Sequence, residues 1–295
     1  MIVHLLDGTY ELFRHFYGIR RFKKTDPPFG AVSGVLSTVA QLIDDGATHV
    51  GVATDHIIES FRNKLWAGYK TGAGIEPALR AQFTPLEEAL EAMGVAVWAM
   101  VELEADDALA SAAHLAAQDD RVEKICIWTP DKDLAQCVVE ERVVQVDRRG
   151  GAIRGAEEVR AKFGVKPEFI ADYLALVGDA ADGYPGISGC GAKTAATLIN
   201  RYGPLEKFPP EALNDENRKL ALLFKDLATL RIDAPLFKNV DELRWSGTKP
   251  EFVQVAEMIG NRSLATRVKK LDKRLNPPQK GTKVTKVTKV TKGTN

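Results

Sequence analysis

The chain has 295 residues, of which 45% are hydrophobic, and its 40 basic and 40 acidic side chains leave no net charge. This composition indicates a globular protein with one large core or two smaller ones. Cys126, Cys137 and Cys190 are too few and too far apart for a disulfide framework or a zinc site. No apolar run approaches the ~18 residues that span a bilayer, and no basic leader precedes the first strand. We therefore expect no membrane contact and a cytoplasmic location.

The charges are segregated along the chain. From Arg262 to Asn295 there are 11 basic residues and one acidic residue, so this stretch carries +10 and the remainder −10. An acidic body with a basic end is typical of a metal-dependent enzyme whose polyanionic partner is attracted by that end. A tail that only improves solubility remains the alternative. Residues 276–295, with Pro277-Pro278 and a Thr-Lys-Val repeat, are predicted to be disordered.

The first half of the chain alternates short apolar strands with helices. Strands are predicted at 2–6, 50–54, 95–98, 124–128 and 142–146, and helices at 30–43, 59–66, 77–93, 104–117 and 132–138. This alternation predicts an α/β fold with a central, mainly parallel, twisted sheet flanked by helices. Further on, helices are predicted at 168–177, 193–202, 217–230 and 251–260. We therefore predict an α/β core over 1–165, a helical domain over 166–275 and a disordered basic tail over 276–295.

Three of the predicted strands lead to an aspartate, namely Asp7, Asp55 and Asp131. The carboxyl ends of parallel strands share one edge of a sheet, so these carboxylates should converge. Two more acidic clusters join them, and they contain Glu104, Asp106 and Asp107 in one and Asp179 and Asp182 in the other. So many carboxylates cannot all stay ionised without cations, and hard oxygen ligands favour Mg²⁺ or Mn²⁺.

Each acidic cluster has a structural explanation when it is considered alone. Acids in the first turn of a helix complement its dipole, which would account for Asp106 and Asp107. Asp131 and Asp133 could be N-cap residues, and Asp179 and Asp182 could be ordinary turn residues. These explanations do not account for the position of all the acids at strand ends or helix ends on one predicted edge.

Two further motifs indicate contact with nucleic acid. The segment 185–196 contains Gly186, Gly189 and Gly191 followed by Lys193 and Thr194, between two predicted helices. Such a hairpin brings backbone N–H groups close to phosphates and grips the sugar-phosphate backbone without reading bases. The segment 61–72 interleaves basic and aromatic residues, which suits phosphate contact and stacking of unpaired bases. The alternatives are a tight turn between packed helices and a solvated helix end.

Taken together, these motifs resemble the 5′-nuclease family, which includes the N-terminal domain of bacterial DNA polymerase I and the flap endonucleases. The resemblance runs from Met1 to about Gly260, and its most specific parts are 104–107, 131–136 and 172–195. It implies a structure-specific 5′→3′ exonuclease or 5′-flap endonuclease that hydrolyses DNA by a two-metal mechanism in replication or repair. It also implies a helix–three-turn–helix element that holds a K⁺ ion against duplex DNA.

The resemblance assigns roles to individual residues. It implies that Asp7, Asp55, Glu104 and Asp106 surround a first Mg²⁺ or Mn²⁺ ion, and that Asp106, Asp131, Asp133 and Asp182 surround a second. Asp107 and Asp179 would support these ligands from outside. Arg62 and Lys70 would act on the scissile phosphate as catalytic residues. The residues implied in DNA binding are Tyr69, Gly186, Gly189, Gly191, Lys193 and Thr194.

The sequence departs from the family pattern after Tyr69-Lys70, where a basic residue is often found and Thr71-Gly72-Ala73-Gly74 stands instead. No polymerase sequence follows, so we expect a free-standing nuclease that acts as a monomer on DNA with 5′ ends or 5′ flaps. A ribonuclease of the related small nuclease fold and a non-catalytic branched-DNA binding protein are the main alternatives. An aspartate-based phosphatase is a third, but the glycine-rich hairpin would have no role in it.

Overall fold

The computed structural model describes residues 1–20, 28–148 and 150–275. Its centre is a six-stranded sheet of order β3-β2-β1-β4-β5-β6. The strands are β1 (Ile2–Asp7), β2 (His49–Asp55), β3 (Ala96–Met100), β4 (Lys124–Trp128), β5 (Val143–Asp147) and β6 (Ala152–Arg154). All neighbouring pairs are parallel except β5 and β6, which pair antiparallel. The predicted α/β fold with a mainly parallel sheet is confirmed.

Helices cover both faces of the sheet. Helices α1 (Gly8–Arg20), α2 (Gly30–Asp44) and α5 (Phe83–Ala92) lie on one face, and α6 (Ala105–Ala117) lies on the other. Side chains alternate across a strand, so Leu6 of β1 packs with the first group and Leu5 with the second. Each face of the sheet is therefore the floor of a separate apolar cluster.

The second half of the chain is helical. It contains α7 (Ala156–Phe163), α8 (Ile170–Val177), α9 (Ala192–Tyr202) and α10 (Asp215–Ala228) around a third apolar cluster. Ala135 and Val138, which follow β4, are part of the same cluster. This shared packing joins the helical part to the carboxyl edge of the sheet.

The last two helices return to the first half. Helices α11 (Phe252–Met258) and α12 (Arg262–Leu275) bury Phe252, Leu264 and Val268 in the same cluster as α2 and α5. The boundaries at 165/166 and 275/276 stay predictions, and the predicted disorder of 276–295 falls outside the described residues. In the described part of the chain, no helix combines the length and the apolar character needed to cross a bilayer.

Several predicted elements differ in extent. The helix predicted at 59–66 is a single turn, α3 (Arg62–Leu65), and the one predicted at 132–138 is a 3₁₀ helix over Asp133–Cys137. The helix predicted at 77–93 is divided into α4 (Pro77–Arg80) and α5. The break occurs beside buried Gln82, whose Oε1 accepts hydrogen bonds from the backbone N–H groups of Ala31 and Val32 at the start of α2.

Among the α-helices and strands of the described residues, the sequence reasoning missed four, namely α1, β6, α7 and α12. In α12 the apolar residues do recur at helical spacing, but its six basic residues within 14 positions were counted only with the basic end of the chain, and no helix was predicted there. Packing against α2 is what stabilises this helix, and that contact cannot be read from the local sequence.

Candidate active site

The ends of β1 and β2 bring their aspartates to one edge, as predicted. The Asp7 carboxylate accepts hydrogen bonds from the Tyr10 N–H at 2.8 Å and the Thr129 hydroxyl at 3.1 Å. Asp55 Oδ1 accepts one from the backbone N–H of Ala105 at 2.8 Å, which fixes the start of α6 against β2. These contacts fix both carboxylates at the carboxyl ends of neighbouring parallel strands.

Four carboxylates at this edge act on one another electrostatically. The pKa of Asp7 is raised to about 7, mainly by burial and in addition by the charges of Asp55 and Asp131, which together outweigh two opposing hydrogen bonds. Burial also raises the pKa of Asp106, and Asp131 and Asp7 add to that rise. A bound cation would relieve the mutual repulsion of these carboxylates.

A second group consists of Asp133, Asp179 and Asp182, all of them buried. One carboxylate oxygen from each lies within 4.8 Å of the others. Asp133 Oδ1 is buried and has no hydrogen-bond partner in the described part of the chain. Burial raises the pKa of Asp133, and the charges of Asp131 and Asp182 raise it further. An orphaned buried oxygen among three carboxylates fits an oxygen-loving divalent cation such as Mg²⁺ or Mn²⁺.

A tight loop places the last two of these acids. The N–H of Asp179 donates to Tyr184 O at 2.8 Å, which closes residues 179–184 into a compact turn. Gly178 and Gly186 lie side by side beneath it with φ of 86° and 71°. A Cβ on Gly186 would come within 2.4 Å of the Gly178 nitrogen, so the close approach requires glycine.

Lys70 lies between the acidic groups. Its ammonium is 2.8 Å from Glu104 Oε2 and 3.0 Å from Asp182 Oδ1. Burial lowers the pKa of Lys70, but Glu104 and Asp182 outweigh that effect and the net pKa is raised. The side chain therefore carries a fixed positive charge in the centre of the predicted site.

Sequence reasoning missed a second cation, Lys132, whose ammonium is 2.8 Å from Asp179 Oδ2. Its position between Asp131 and Asp133 was the available signal. This ion pair joins the end of β4 to the loop after α8, so it connects the two halves of the chain at the site.

Arg62 differs from the sequence expectation, which placed it on the scissile phosphate. Its side chain is only 1% exposed. All of its N–H groups point to protein acceptors, which are the Asp107 carboxylate, Glu104 Oε1 and the backbone oxygens of Leu227 and Thr229. The guanidinium is thus enclosed by protein, and no face of it is left for a phosphate.

Tyr69 and Glu104 are also enclosed. Tyr69, expected to contact DNA, is 4% exposed, and its hydroxyl lies 3.3 Å from Glu104 Oε2. Glu104, expected as a metal ligand, accepts further hydrogen bonds from Ser60 Oγ at 2.6 Å and from Arg62. With Lys70 as a fourth partner, Glu104 lies in a network that holds the cations in place.

Asp107 is fully satisfied by protein donors. Its two oxygens accept from Arg62 at 2.7 Å each and from the N–H groups of Glu104 and Arg231 at 2.9 Å. It has no exposed surface. These contacts suit the outer, supporting position that the resemblance implied and leave no oxygen for a metal.

The glycine-rich hairpin forms a separate surface. Gly189, Gly191, Lys193 and Thr194 are exposed where α9 begins, and Gly186 is buried beneath them. Within the described residues, Lys193 makes no ion pair, so its charge is available to a ligand. The exposed N–H groups of this helix start and the free ammonium suit a phosphate.

Comparison with known proteins agrees with this geometry. A sequence model of the 5′-3′ exonuclease N-terminal resolvase-like domain matches residues 2–164, and one of the 5′-3′ exonuclease C-terminal SAM fold matches residues 165–251. DNA polymerase I of Pseudomonas aeruginosa is 34% identical in the aligned region. That region covers 81% of this chain but only 28% of the polymerase, so this chain spans less than a third of that relative. A 5′-3′ exonuclease of Aquifex aeolicus is 30% identical, and the alignment covers 92% of this chain and 95% of that protein.

Among solved structures, the fold is similar to a flap endonuclease of bacteriophage T5 in a pseudo-enzyme-product complex with DNA and metal ions. The TM-score is 0.62 at 19% identity, with 92% of this chain and 98% of the other covered. That likeness establishes the fold alone. The two family models, by contrast, match residues 2–164 and 165–251 in sequence, so the chain belongs to the 5′-3′ exonuclease family.

Proposed function

We propose that the protein hydrolyses phosphodiester bonds of DNA that has a free 5′ end or a 5′ flap, in replication or repair. The observation that carries this proposal is the buried trio Asp133, Asp179 and Asp182, with its orphaned oxygen, next to the carboxylates above β1 and β2. An exposed glycine hairpin beside them offers a non-specific grip on the duplex. We further propose that the enzyme acts as a cytoplasmic monomer.

The carboxylates divide into two groups that would each hold a divalent ion, Mg²⁺ or Mn²⁺. Asp7, Asp55, Asp106 and Asp131 form the first group, and Asp133, Asp179 and Asp182 form the second. When bound, two such ions supply an activated water and stabilise the departing 3′ oxygen. We therefore assign Asp179, for which the resemblance implied a supporting role, as a metal ligand. Glu104 and Asp107 instead position the cationic side chains of Lys70 and Arg62.

Lys70 is the residue we assign to the transferred phosphate. Its ammonium carries a permanent charge among the carboxylates, and a flexible four-carbon side chain can follow the phosphate as charge develops. Arg62 is a positioning residue, because it ties Asp107 and Glu104 to the backbone at the end of α10. At the hairpin, Gly189, Gly191, Lys193 and Thr194 would hold the duplex, with a K⁺ ion as the family resemblance implies.

The test is an assay on a labelled 5′-flap duplex with Mg²⁺, with Mn²⁺ and with EDTA. We expect metal-dependent release of the flap with a 5′-phosphate on the product. Cleavage of an RNA substrate in preference to the flap would favour the ribonuclease alternative. Tight binding of branched DNA with no cleavage under any metal would favour the binding-only alternative.

A further inference from the structure

The outer face of α12 carries a strong positive charge that lies beyond the matched family domains, which end at residue 251. Six basic residues and one acid occupy its 14 positions. The face is defined by Arg262, Lys269, Lys270 and Lys273, all exposed, and we call it the basic ridge.

The opposite face of α12 anchors the ridge to the core. Leu264, Val268 and Leu271 are at most 4% exposed and pack in the apolar cluster of α2. Arg274 pairs with Asp44 at 3.0 Å and Arg267 with the same carboxylate at 3.4 Å. Two of the six cations are therefore used to fix the helix.

The lysines of the ridge are free to bind a ligand. Within residues 1–20, 28–148 and 150–275, no carboxylate pairs with Lys269, Lys270 or Lys273, and Arg262 makes only a 3.4 Å contact with exposed Glu257. Three unpaired ammonium groups within two turns repel one another, which lowers the stability of an isolated helix. An anionic partner that binds all three ammonium groups would relieve this repulsion.

The dimensions of the ridge suit a nucleic acid backbone. From Arg262 to Lys273 the helix rises about 16 Å, and each DNA strand carries one charge per ~3.4 Å of axis. The apolar face of α12 is already buried in the core, so the helix cannot insert into a lipid surface as an amphipathic membrane helix does. The rest of the body is acidic overall, so a cationic surface is needed where DNA passes it.

The ridge also begins near the substrate side of the molecule. Asn261 Nδ2 donates to Ser33 Oγ at 2.7 Å, which places the start of α12 beside the start of α2. That end of α2 in turn contacts Gln82, which lies in the segment after Lys70. From there the helix that carries the ridge extends along α2 to Arg274, which pairs with Asp44 at the end of α2.

We propose that the basic ridge is a second DNA-binding surface, distinct from the glycine hairpin, which holds the phosphate backbone outside the active site. This inference rests on the proposed function, because it assumes that DNA is the substrate. The partner is recognised by charge alone, so the ridge adds affinity without adding sequence preference or catalytic rate.

The experiment compares three full-length variants with wild type. Lys269→Gln/Lys270→Gln/Lys273→Gln removes the charge and keeps a good helix former at each position. The corresponding triple Arg variant keeps the charge. A matched control, Lys124→Gln/Lys238→Gln/Arg244→Gln, removes three cations near the amino ends of the strands. Binding of flap DNA in EDTA is measured between low and moderate salt, with melting temperature as the check of folding.

We expect the Gln variant to bind about tenfold or more weakly at low salt and its log–log salt slope to be shallower by about 2 to 3, at roughly 0.9 per phosphate contact. The Arg variant and the control should match wild type, and turnover at saturating DNA should be unchanged in all. A Gln variant with the wild-type salt slope would contradict DNA binding by the basic ridge and would leave the nuclease proposal intact. Anionic vesicles that bind wild type but not the Gln variant, with DNA binding equal, would also overturn it. A wild-type protein that neither binds nor cleaves the flap would overturn both proposals.

Discussion

Asp106 and Asp107 are neighbours at the start of α6 and have opposite environments. Asp107 accepts four hydrogen bonds and is matched by the Arg62 guanidinium, so the protein itself neutralises it. Asp106 faces Asp7, Asp55 and Asp131, and Lys70 is the one cation among its main electrostatic neighbours. Their position in the sequence gives the two residues the same explanation, because both are acids in a first helical turn, and only the family resemblance assigned them different roles.

The difference separates the acids that protein groups neutralise from the acids that we propose as metal ligands. A buried carboxylate whose oxygens are satisfied by protein stabilises the fold, and its removal leaves a charged partner unpaired. A buried carboxylate that faces other carboxylates destabilises the fold until a cation binds. Mutations in the two groups should therefore have effects of opposite sign on stability.

The largest effect should come from Asp133→Asn. Removing the orphaned carboxylate oxygen should lower flap cleavage at least about 1,000-fold, or about 4 kcal/mol, because a metal ligand is lost. DNA binding should remain near wild type, since it rests on the hairpin and surface cations. Single-turnover cleavage and equilibrium binding on the same flap measure the two. Cleavage within tenfold of wild type would remove Asp133 from the ligand set.

The pair Asp107→Asn and Asp106→Asn tests the comparison directly. Asp107→Asn leaves Arg62 buried without its counter-charge and should cost about 3–5 kcal/mol of unfolding free energy. Asp106→Asn relieves repulsion and should raise the melting temperature in EDTA while abolishing cleavage. Urea unfolding and thermal melts in EDTA measure both. Equal destabilisation by the two variants would show that the distinction is false.

Adding Mn²⁺ without DNA should stabilise the wild type. Ligand linkage gives about 2.7 kcal/mol when the ion is at 100 times its dissociation constant, measured as a shift in melting temperature. Asp7 has a folded pKa of about 7, above its unfolded value, so its ionisation in EDTA costs stability as the pH rises towards 7. The Mn²⁺-induced shift should accordingly be larger at pH 8 than at pH 6. A melting temperature indifferent to millimolar Mn²⁺ would contradict an assembled site.

The smallest effect should come from Lys193→Ala at the hairpin. Loss of a single phosphate contact should weaken duplex binding about tenfold or less and reduce the salt slope by about 0.9. Fold stability should not change, since the side chain is exposed and makes no ion pair in the described part of the chain. An unchanged slope would take Lys193 out of the DNA-binding surface.

Much of the fold followed from periodicity. The β4 strand was predicted to the residue, and the alternation of strands and helices gave the parallel sheet, because apolar spacing is a local property. The convergence of Asp7 and Asp55 followed from the same topology. The burial of Arg62 did not, because its partners Leu227 and Thr229 lie more than 160 positions away. The helix α12 was missed for the same reason, since the cluster that it packs into is formed by α2, which is also remote in sequence.

The site also draws on both halves of the chain. Asp131 and Asp133 come from the sheet edge, whereas Asp179 and Asp182 come from the loop after α8, and Lys132 and Lys70 bond across the two. A fragment of residues 1–165 would lack Asp179 and Asp182, and it would expose apolar surface that α2, Ala135 and Val138 bury against the later helices. A gene that encoded only one half would therefore supply only part of the carboxylate set that we propose for metal binding.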